Sequence, residues 1–289
     1  MSYKIAIAGS KGFLAKPIIA AATRIFADRV NSVVVLTRDE SKEEGNISYT
    51  QVDYSKPDAI VSALKGVDAL INTIGVGQEN SAHRTLTDAA VKANVKVYVP
   101  SEFGTNYINA DFTFHHVFSE KKKLFEYAQS RIRTVAIVSS MFAEFLAPVP
   151  KLVGINDETM TAQIYGKDYP LSVSALADIG NSTVSAVILA LDGKDVPSHV
   201  KIASSTFTVG EFLSRYESVT GKKFDVQILD AKKDRETLEP TMDFMEYIRI
   251  LMGTGASLNV PNHNELVNPG ESLWKWTDYF EELCIPKWK

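Results

Sequence analysis

Residues 4–15 read Lys4-Ile5-Ala6-Ile7-Ala8-Gly9-Ser10-Lys11-Gly12-Phe13-Leu14-Ala15. A short continuous apolar run of strand length enters a Gly-x-x-Gly-x-x-Ala loop, and a helical pattern over Phe13–Ala27 follows. Gly9 permits the tight turn out of the strand. Gly12 lets the backbone approach a pyrophosphate with no Cβ in the way. Ala15 is small enough for the helix to pack close to the sheet. Ser10, Phe13 and Leu14 complete the loop, and the helix start turns free N–H groups and a positive dipole end toward a phosphate. Lys11 adds a charge at the loop tip.

The same alternation continues outward. Ser32–Leu36, Ile47–Val52, Asp68–Thr73, Lys96–Val99 and Thr134–Val138 read as strands. Lys56–Leu64, Ser81–Ala93 and Val117–Ser130 have helical spacing. Apolar strands separated by helices predict a Rossmann-type, doubly wound parallel sheet covered on both faces. Beyond Met141 the pattern is less regular. Strands are expected at Thr161–Tyr165 and Val200–Ala203, and helices at Ala175–Leu191, Val209–Thr220, Thr241–Met252 and Ser272–Leu283. The expected organisation is an α/β dinucleotide-binding domain over residues 1–150. A smaller α/β substrate region over 151–289 packs against it, with some elements returning to the first domain.

The end of the second strand bears on which dinucleotide is bound. NAD-binding versions place a carboxylate there for the ribose 2′-OH. Here the strand ends Leu36-Thr37-Arg38, so the acid position is Thr37 and a guanidinium follows. Arg38, assisted by Lys42, suits the 2′-phosphate of NADPH. Asp53 suits the adenine edge, and Thr73, Ile74 and Gly75 suit the backbone that passes the cofactor ribose.

Composition excludes several classes. The chain has 289 residues, 45% hydrophobic and 23% charged, with a formal net charge of −4. A mildly acidic chain offers nucleic acid and anionic membranes no general attraction. No stretch is long enough to span a membrane, and no signal-peptide pattern opens the chain, so the cytoplasm is expected. The single cysteine, Cys284, forms neither an intrachain disulfide nor a thiolate cluster. No metal site is expected, since His115-His116 lacks carboxylate or cysteine partners. The expected partner is a small-molecule substrate, bound by a monomer or homodimer.

Val99-Pro100-Ser101-Glu102-Phe103-Gly104 carries a family resemblance. It resembles the Pro-Ser-Glu-Phe-Gly motif of the NmrA-like and isoflavone reductase-like branch of atypical short-chain dehydrogenases. Gly66-Val67-Asp68 before the fourth strand is similar to that branch. So are Leu86–Ala93 with Val95-Lys96, where Asn94 replaces the usual Gly, and Ala177-Asp178-Ile179-Gly180. The resemblance covers about the first 190 residues. It implies a cofactor domain with a small C-terminal substrate region, and hydride transfer from NADPH to phenylpropanoid-like aromatic compounds. It also implies a general acid/base lysine in a Phe-x-x-Lys helix motif, which here is Phe118-Ser119-Glu120-Lys121. Ser101 and Phe103, with Lys121, are then expected at the cofactor. Another implied role is a redox sensor that binds NADP(H) without catalysis; a third is a cofactor-using isomerase.

Consecutive helical residues point about 100° apart, so only one of Lys121, Lys122 and Lys123 can face a pocket. Lys121 shares a side with Phe118. The position four before Lys121, a Tyr in most short-chain dehydrogenases, is Val117. His115 and His116 are expected to enter the helix or line the pocket. Met141, Phe142 and Phe145 follow the sixth strand, at the edge where such sheets bind substrate. Tyr165 is counted with these substrate contacts, although no spacing separates it from Tyr107 and Tyr169. Trp274 and Trp276 are expected to pack.

Overall fold

A computed structural model describes residues 1–75, 80–105, 115–146, 150–236 and 243–289. Tyr107 and Thr241, named above, lie outside the described residues. The first half runs β1 (Tyr3–Ala8), α1 (Ala15–Ala20, prolonged by a π-helical turn over Ala21–Ile25), β2 (Val30–Thr37), β3 (Lys42–Glu44), β4 (Ile47–Gln51) and α2 (Pro57–Ala63). It continues with β5 (Ala69–Asn72), α3 (Asn80–Lys92), β6 (Val97–Val99), α4 (His116–Gln129) and β7 (Ala136–Val138). The second half begins with β8 (Met141–Phe142), α5 (Ala143–Leu146), β9 (Ile155–Asn156), β10 (Thr161–Tyr165), β11 (Pro170–Ser174) and α6 (Leu176–Leu191). Then come β12 (His199–Lys201), β13 (Ser205–Thr208), α7 (Val209–Thr220), β14 (Asp225–Leu229), α8 (Ala231–Arg235), α9 (Phe244–Gly253), α10 (Asn264–Val267) and α11 (Ile285–Trp288).

The main sheet has the order β3-β4-β2-β1-β5-β6. Its pairs are parallel, except that β3 folds back antiparallel on β4. A bridge between Tyr98 and Thr134 continues it toward β7, on which β12 pairs in parallel. Side-chain alternation assigns the two faces. Ile5, Ile7, Val33, Val35, Ala69, Ile71, Val97 and Val99 pack against α1 and α6. Ala6, Ala8, Val34, Leu36, Leu70 and Tyr98 pack against Ile60 of α2 and Leu86 of α3. Both faces are buried, which is why these strands read as unbroken apolar runs.

Several resembling motifs brace this sheet. Asp68 accepts from the Lys4 N–H at 3.0 Å and from Lys96 Nζ at 2.8 Å, tying the starts of β1, β5 and β6. Asn94 has φ of 58°, a left-handed conformation that Asn tolerates nearly as Gly does. Asp178 accepts from Ser204 Oγ at 2.6 Å and from the Thr277 N–H at 3.0 Å. A Cβ on Gly180 would stand 2.6 Å from the Pro17 carbonyl, so Gly is what lets α6 lie against α1.

Small sheets fill the second half: β14-β10-β9 and β13-β11-β8. A second core gathers Phe118, Leu171, Phe207, Phe212, Tyr247 and Tyr279, among others. Strands β11, β13 and β14 are not foreseen by periodicity. The first two are half-polar, and β14 is mostly exposed. The expected helix over Ser272–Leu283 is a correction. Residues 272–278 are non-helical, and a π-helical turn, Tyr279–Cys284, leads into α11. Asn268 accepts from the Leu273 N–H and donates to the Trp274 carbonyl, so side chains satisfy backbone groups that a helix would have paired. Trp274 is buried edge-on to Phe26, as packing predicts.

Candidate functional site

Strands β2 and β5 lie on either side of β1, so the strand order reverses there and opens a crevice at their carboxyl ends. Gly9 sits in it with φ of 96°, and a Cβ there would fall 2.6 Å from Thr73 Oγ1 and 2.9 Å from the Ile74 nitrogen. Thr73 Oγ1 donates to the Ala8 carbonyl at 2.7 Å, and the Gly12 N–H donates to the Gly9 carbonyl at 2.9 Å. These contacts fold the loop against β5. The resulting cleft of about 210 Å³ is lined by Gly9–Gly12, Leu36–Arg38, Tyr54 and Thr73–Gly75.

The residues fit a dinucleotide. The loop supplies backbone next to glycines, Arg38 is exposed at the rim, and Lys11 stands beside it in an ion pair with Asp39 at 2.8 Å. Ser10 Oγ donates to Thr37 Oγ1 at 3.2 Å, joining the loop to the end of β2 where the acid would otherwise stand. Leu14 is buried and immediately precedes α1.

Two expected contacts lie outside the lining of the cleft. Lys42 is paired with Glu44 and lies 4.5 Å above the Tyr49 ring, because the chain after Arg38 turns into β3 instead of a helical turn. Asp53 accepts from the Ser55 N–H and Oγ at 2.9 and 2.6 Å, which holds its carboxyl below the usual range, helped by nearby Lys56. Neither lines the cleft. Tyr54 does, and sequence reasoning missed it; its place next to Asp53, just past the third strand, was the available signal.

Lys121 lines a second, smaller cavity just beyond the end of β6. Its Nζ donates to the Glu102 carbonyl at 2.8 Å. Burial pushes its pKa below that of an ordinary lysine, and the charge of Glu102 opposes the shift. Lys122 and Lys123 are exposed, as helical geometry predicts. Around Lys121 lies a buried polar cluster that no local pattern marks. Asn72 Nδ2 donates to His83 Nδ1 at 2.9 Å and to the Tyr98 hydroxyl at 3.0 Å, while its Oδ1 accepts from the Ile74 N–H. Burial pushes the Tyr98 phenol up to about 12, with the Glu102 charge adding to the shift and Asn72 and Thr87 opposing it. Ser101 lines this cavity, whereas Phe103 is buried in the main core.

On the other side of the glycine loop stands an aromatic group. Phe13 is 68% exposed and meets Phe145 edge-on at 4.8 Å, and Phe145 lies 5.6 Å from Phe142. Met141 is half-buried on the same short strand as Phe142. The structure does not bring Tyr165 to this group. Its ring packs with Ala231 and Ile250, and its hydroxyl lies 3.0 and 3.1 Å from carboxylate oxygens of Asp234 and Glu246. His115 caps α4, its Nδ1 accepting from the Val117 N–H at 3.3 Å. Among the described residues no group of three or more His, Cys, Asp or Glu is placed to hold a metal, and no helix is long and apolar enough to cross a membrane.

A glycine loop at the switch point, an arginine closing β2 and a lysine beside β6 define a dinucleotide-binding fold of the reductase type. The sequence model of the NmrA-like family matches residues 1–259, and the chain belongs to that family. It is 26% identical to the oxidoreductase aprR of Aspergillus flavus, over 81% of this chain and 80% of that protein. It is 23% identical to the phenylcoumaran benzylic ether reductase Pyrc5 of Pyrus communis, over 77% and 76%. Among solved structures, an isoflavone reductase matches with a TM-score of 0.75 at 18% identity, over 98% of this chain and 99% of that one.

Proposed function

We propose that the protein is an NADPH-dependent reductase of a small, apolar, aromatic metabolite, with Lys121 as general acid. The observation that carries this reading is Lys121 itself: its Nζ is held at 2.8 Å on the Glu102 carbonyl, in a cavity just beyond the end of β6. The relatives named above are an oxidoreductase and a benzylic ether reductase, and a leucoanthocyanidin reductase of Vitis vinifera with this fold was solved with NADPH (TM-score 0.67, 20% identity).

In this reading Gly9–Gly12 and the start of α1 hold the pyrophosphate, and Arg38, Thr37 and Lys11 hold the 2′-phosphate end. Bound there, the nicotinamide supplies the hydride. Phe13, Phe142, Phe145 and Met141 offer a flat aromatic substrate an apolar wall, and edge-to-face ring contacts add to area burial. Lys121 donates a proton to the substrate atom on which negative charge develops. A lysine with a lowered pKa is a better donor near neutrality than an exposed one. Only its ammonium form donates, so activity declines as pH rises through a value below the ordinary lysine range.

The test is NADPH oxidation over a panel of enones, flavonoids and benzylic ethers, with Lys121→Ala in parallel. Turnover of an aromatic member that collapses in the variant is the expected result. Tight NADPH binding with no turnover would replace the enzyme with a sensor. Equal activity in Lys121→Ala would remove the proton-donor role.

A further inference from the structure

The cavity around Lys121 is lined by a second titratable side chain, that of Glu102. The Glu102 side chain is 5% exposed, and residue and lysine line the same cavity. The chain reaches it through a tight turn in which the Glu102 N–H donates to the Pro100 carbonyl at 2.8 Å. That turn aims the Glu102 carbonyl at Lys121 Nζ. The carbonyl fixes direction but carries no net charge, so it does not by itself keep a half-buried ammonium protonated.

The other titratable groups facing this cavity do not supply the charge. Tyr98 of β6 is fully buried and remains a neutral phenol. His83 of α3 accepts from Asn72 at Nδ1 and so carries no proton there. Lys122 and Lys123 of α4 turn outward to solvent. Among the described residues lining the cavity, Glu102 is the one acid. An ammonium withdrawn from water beside one carboxylate depends on it: without the carboxylate the buried charge is uncompensated, and the nitrogen gives up its proton more readily.

We propose that Glu102 is the positioning residue for Lys121: its carbonyl points the ammonium, and its buried carboxylate keeps that nitrogen protonated between turnovers. The catalytic consequence rests on the reading of Lys121 as proton donor; the electrostatic coupling does not. Ser-Glu-Phe at the end of β6 is then a device in which one residue serves the lysine twice. Ser101 and Phe103 flank it, one toward the cavity and one in the core.

The decisive measurement is competitive acetylation of the full-length protein with acetic anhydride across pH, read by peptide mass spectrometry, with Lys122 and Lys123 as internal references. In Glu102→Gln the half-point of Lys121 acetylation should move to lower pH than in the native protein, while the references stay put. An unmoved Lys121 profile overturns the proposal. With a substrate from the reductase panel, the alkaline limb of kcat should move the same way, with kcat preserved at mildly acid pH and NADPH affinity unchanged. A uniform loss at every pH would reduce Glu102 to a structural role and overturn it as well. If no compound is turned over, the acetylation arm still decides the Glu102 question, and the failure belongs to the reductase reading. Where Glu102→Gln does not fold, Glu102→Asp withdraws the charge by one methylene. It should move the half-point the same way by less, and no movement there is again a refutation.

Discussion

At the glycine loop a ligand meets mostly backbone: Gly9 and Gly12 without side chains, the start of α1, and the turn Thr73–Gly75. Around Lys121 the groups are side chains held by other side chains, drawn from β5, α3, β6, the turn after β6, and α4. The first region is open and half exposed; the second is mostly buried. Their difference separates two jobs. Backbone groups at a helix start and a strand end bind an anionic ligand whatever its chemistry. A buried polar environment can shift the protonation of a single amine. Asn72 joins the two regions, since its Oδ1 accepts from the Ile74 N–H on the cleft side while its Nδ2 serves His83 and Tyr98 on the other.

If the regions divide binding from proton transfer, the largest effect belongs to the buried one. Lys121→Ala should lower kcat by about 10²- to 10⁴-fold, the range of a lost general acid, while NADPH affinity measured by fluorescence titration stays within about threefold. Parallel losses of affinity and turnover would merge the two regions into one.

The open region breaks next. Gly9→Ala forces a side chain into φ of 96° and against Thr73 Oγ1. Left-handed strain and overpacking together should destabilise the fold by about 2 kcal/mol or more in urea melts. NADPH binding should fall with it, because the loop can no longer lie on β5. An unaltered melt would mean that the loop shifts freely, contrary to its hydrogen bonds.

Arg38→Ala sharpens the same region without touching its shape. A charge-assisted contact to the 2′-phosphate is worth roughly 1.5–3 kcal/mol, so NADPH should bind about 10- to 100-fold more weakly, with NADH nearly unchanged. Equal weakening of both cofactors would place Arg38 on the shared part of the dinucleotide.

Legibility in the sequence follows the same division. The glycine loop announces itself because its demands fall on consecutive residues, each constrained by backbone geometry. The main sheet is legible for a similar reason, since burial on both faces writes an unbroken apolar run. Lys121 stood out among three lysines through helical geometry and its Phe-x-x-Lys motif. Its neighbours Asn72, His83 and Tyr98 did not, because fold alone brings residues so far apart into contact; Glu102 was visible in its motif, but not its place beside Lys121. Asp178-Ile179-Gly180 was visible as a motif, but its purpose is packing, and packing needs the partner Pro17. The stretch after Pro269 misled because Trp, Tyr and Leu at helical spacing look amphipathic. Asn268 and Asp178 instead satisfy its backbone from outside.

The smallest predicted effect tests how local the phosphate end of the cleft is. Lys42 and Asp53 carry the right charges at nearly the right places in sequence, and both are already committed, Lys42 to Glu44 and Asp53 to Ser55. The turn into β3 directs Lys42 along the sheet edge, where its ammonium lies over Tyr49 instead of at the rim. Exposed charges away from a contact change little when removed. Lys42→Ala and Asp53→Asn should therefore each alter NADPH affinity by less than about twofold, against the far larger loss in Arg38→Ala. A tenfold loss in Lys42→Ala would mean that β3 peels from β4 when the cofactor binds and delivers its lysine to the phosphate. The edge hairpin would then belong to the moving part of the cleft, and Arg38 would share its work.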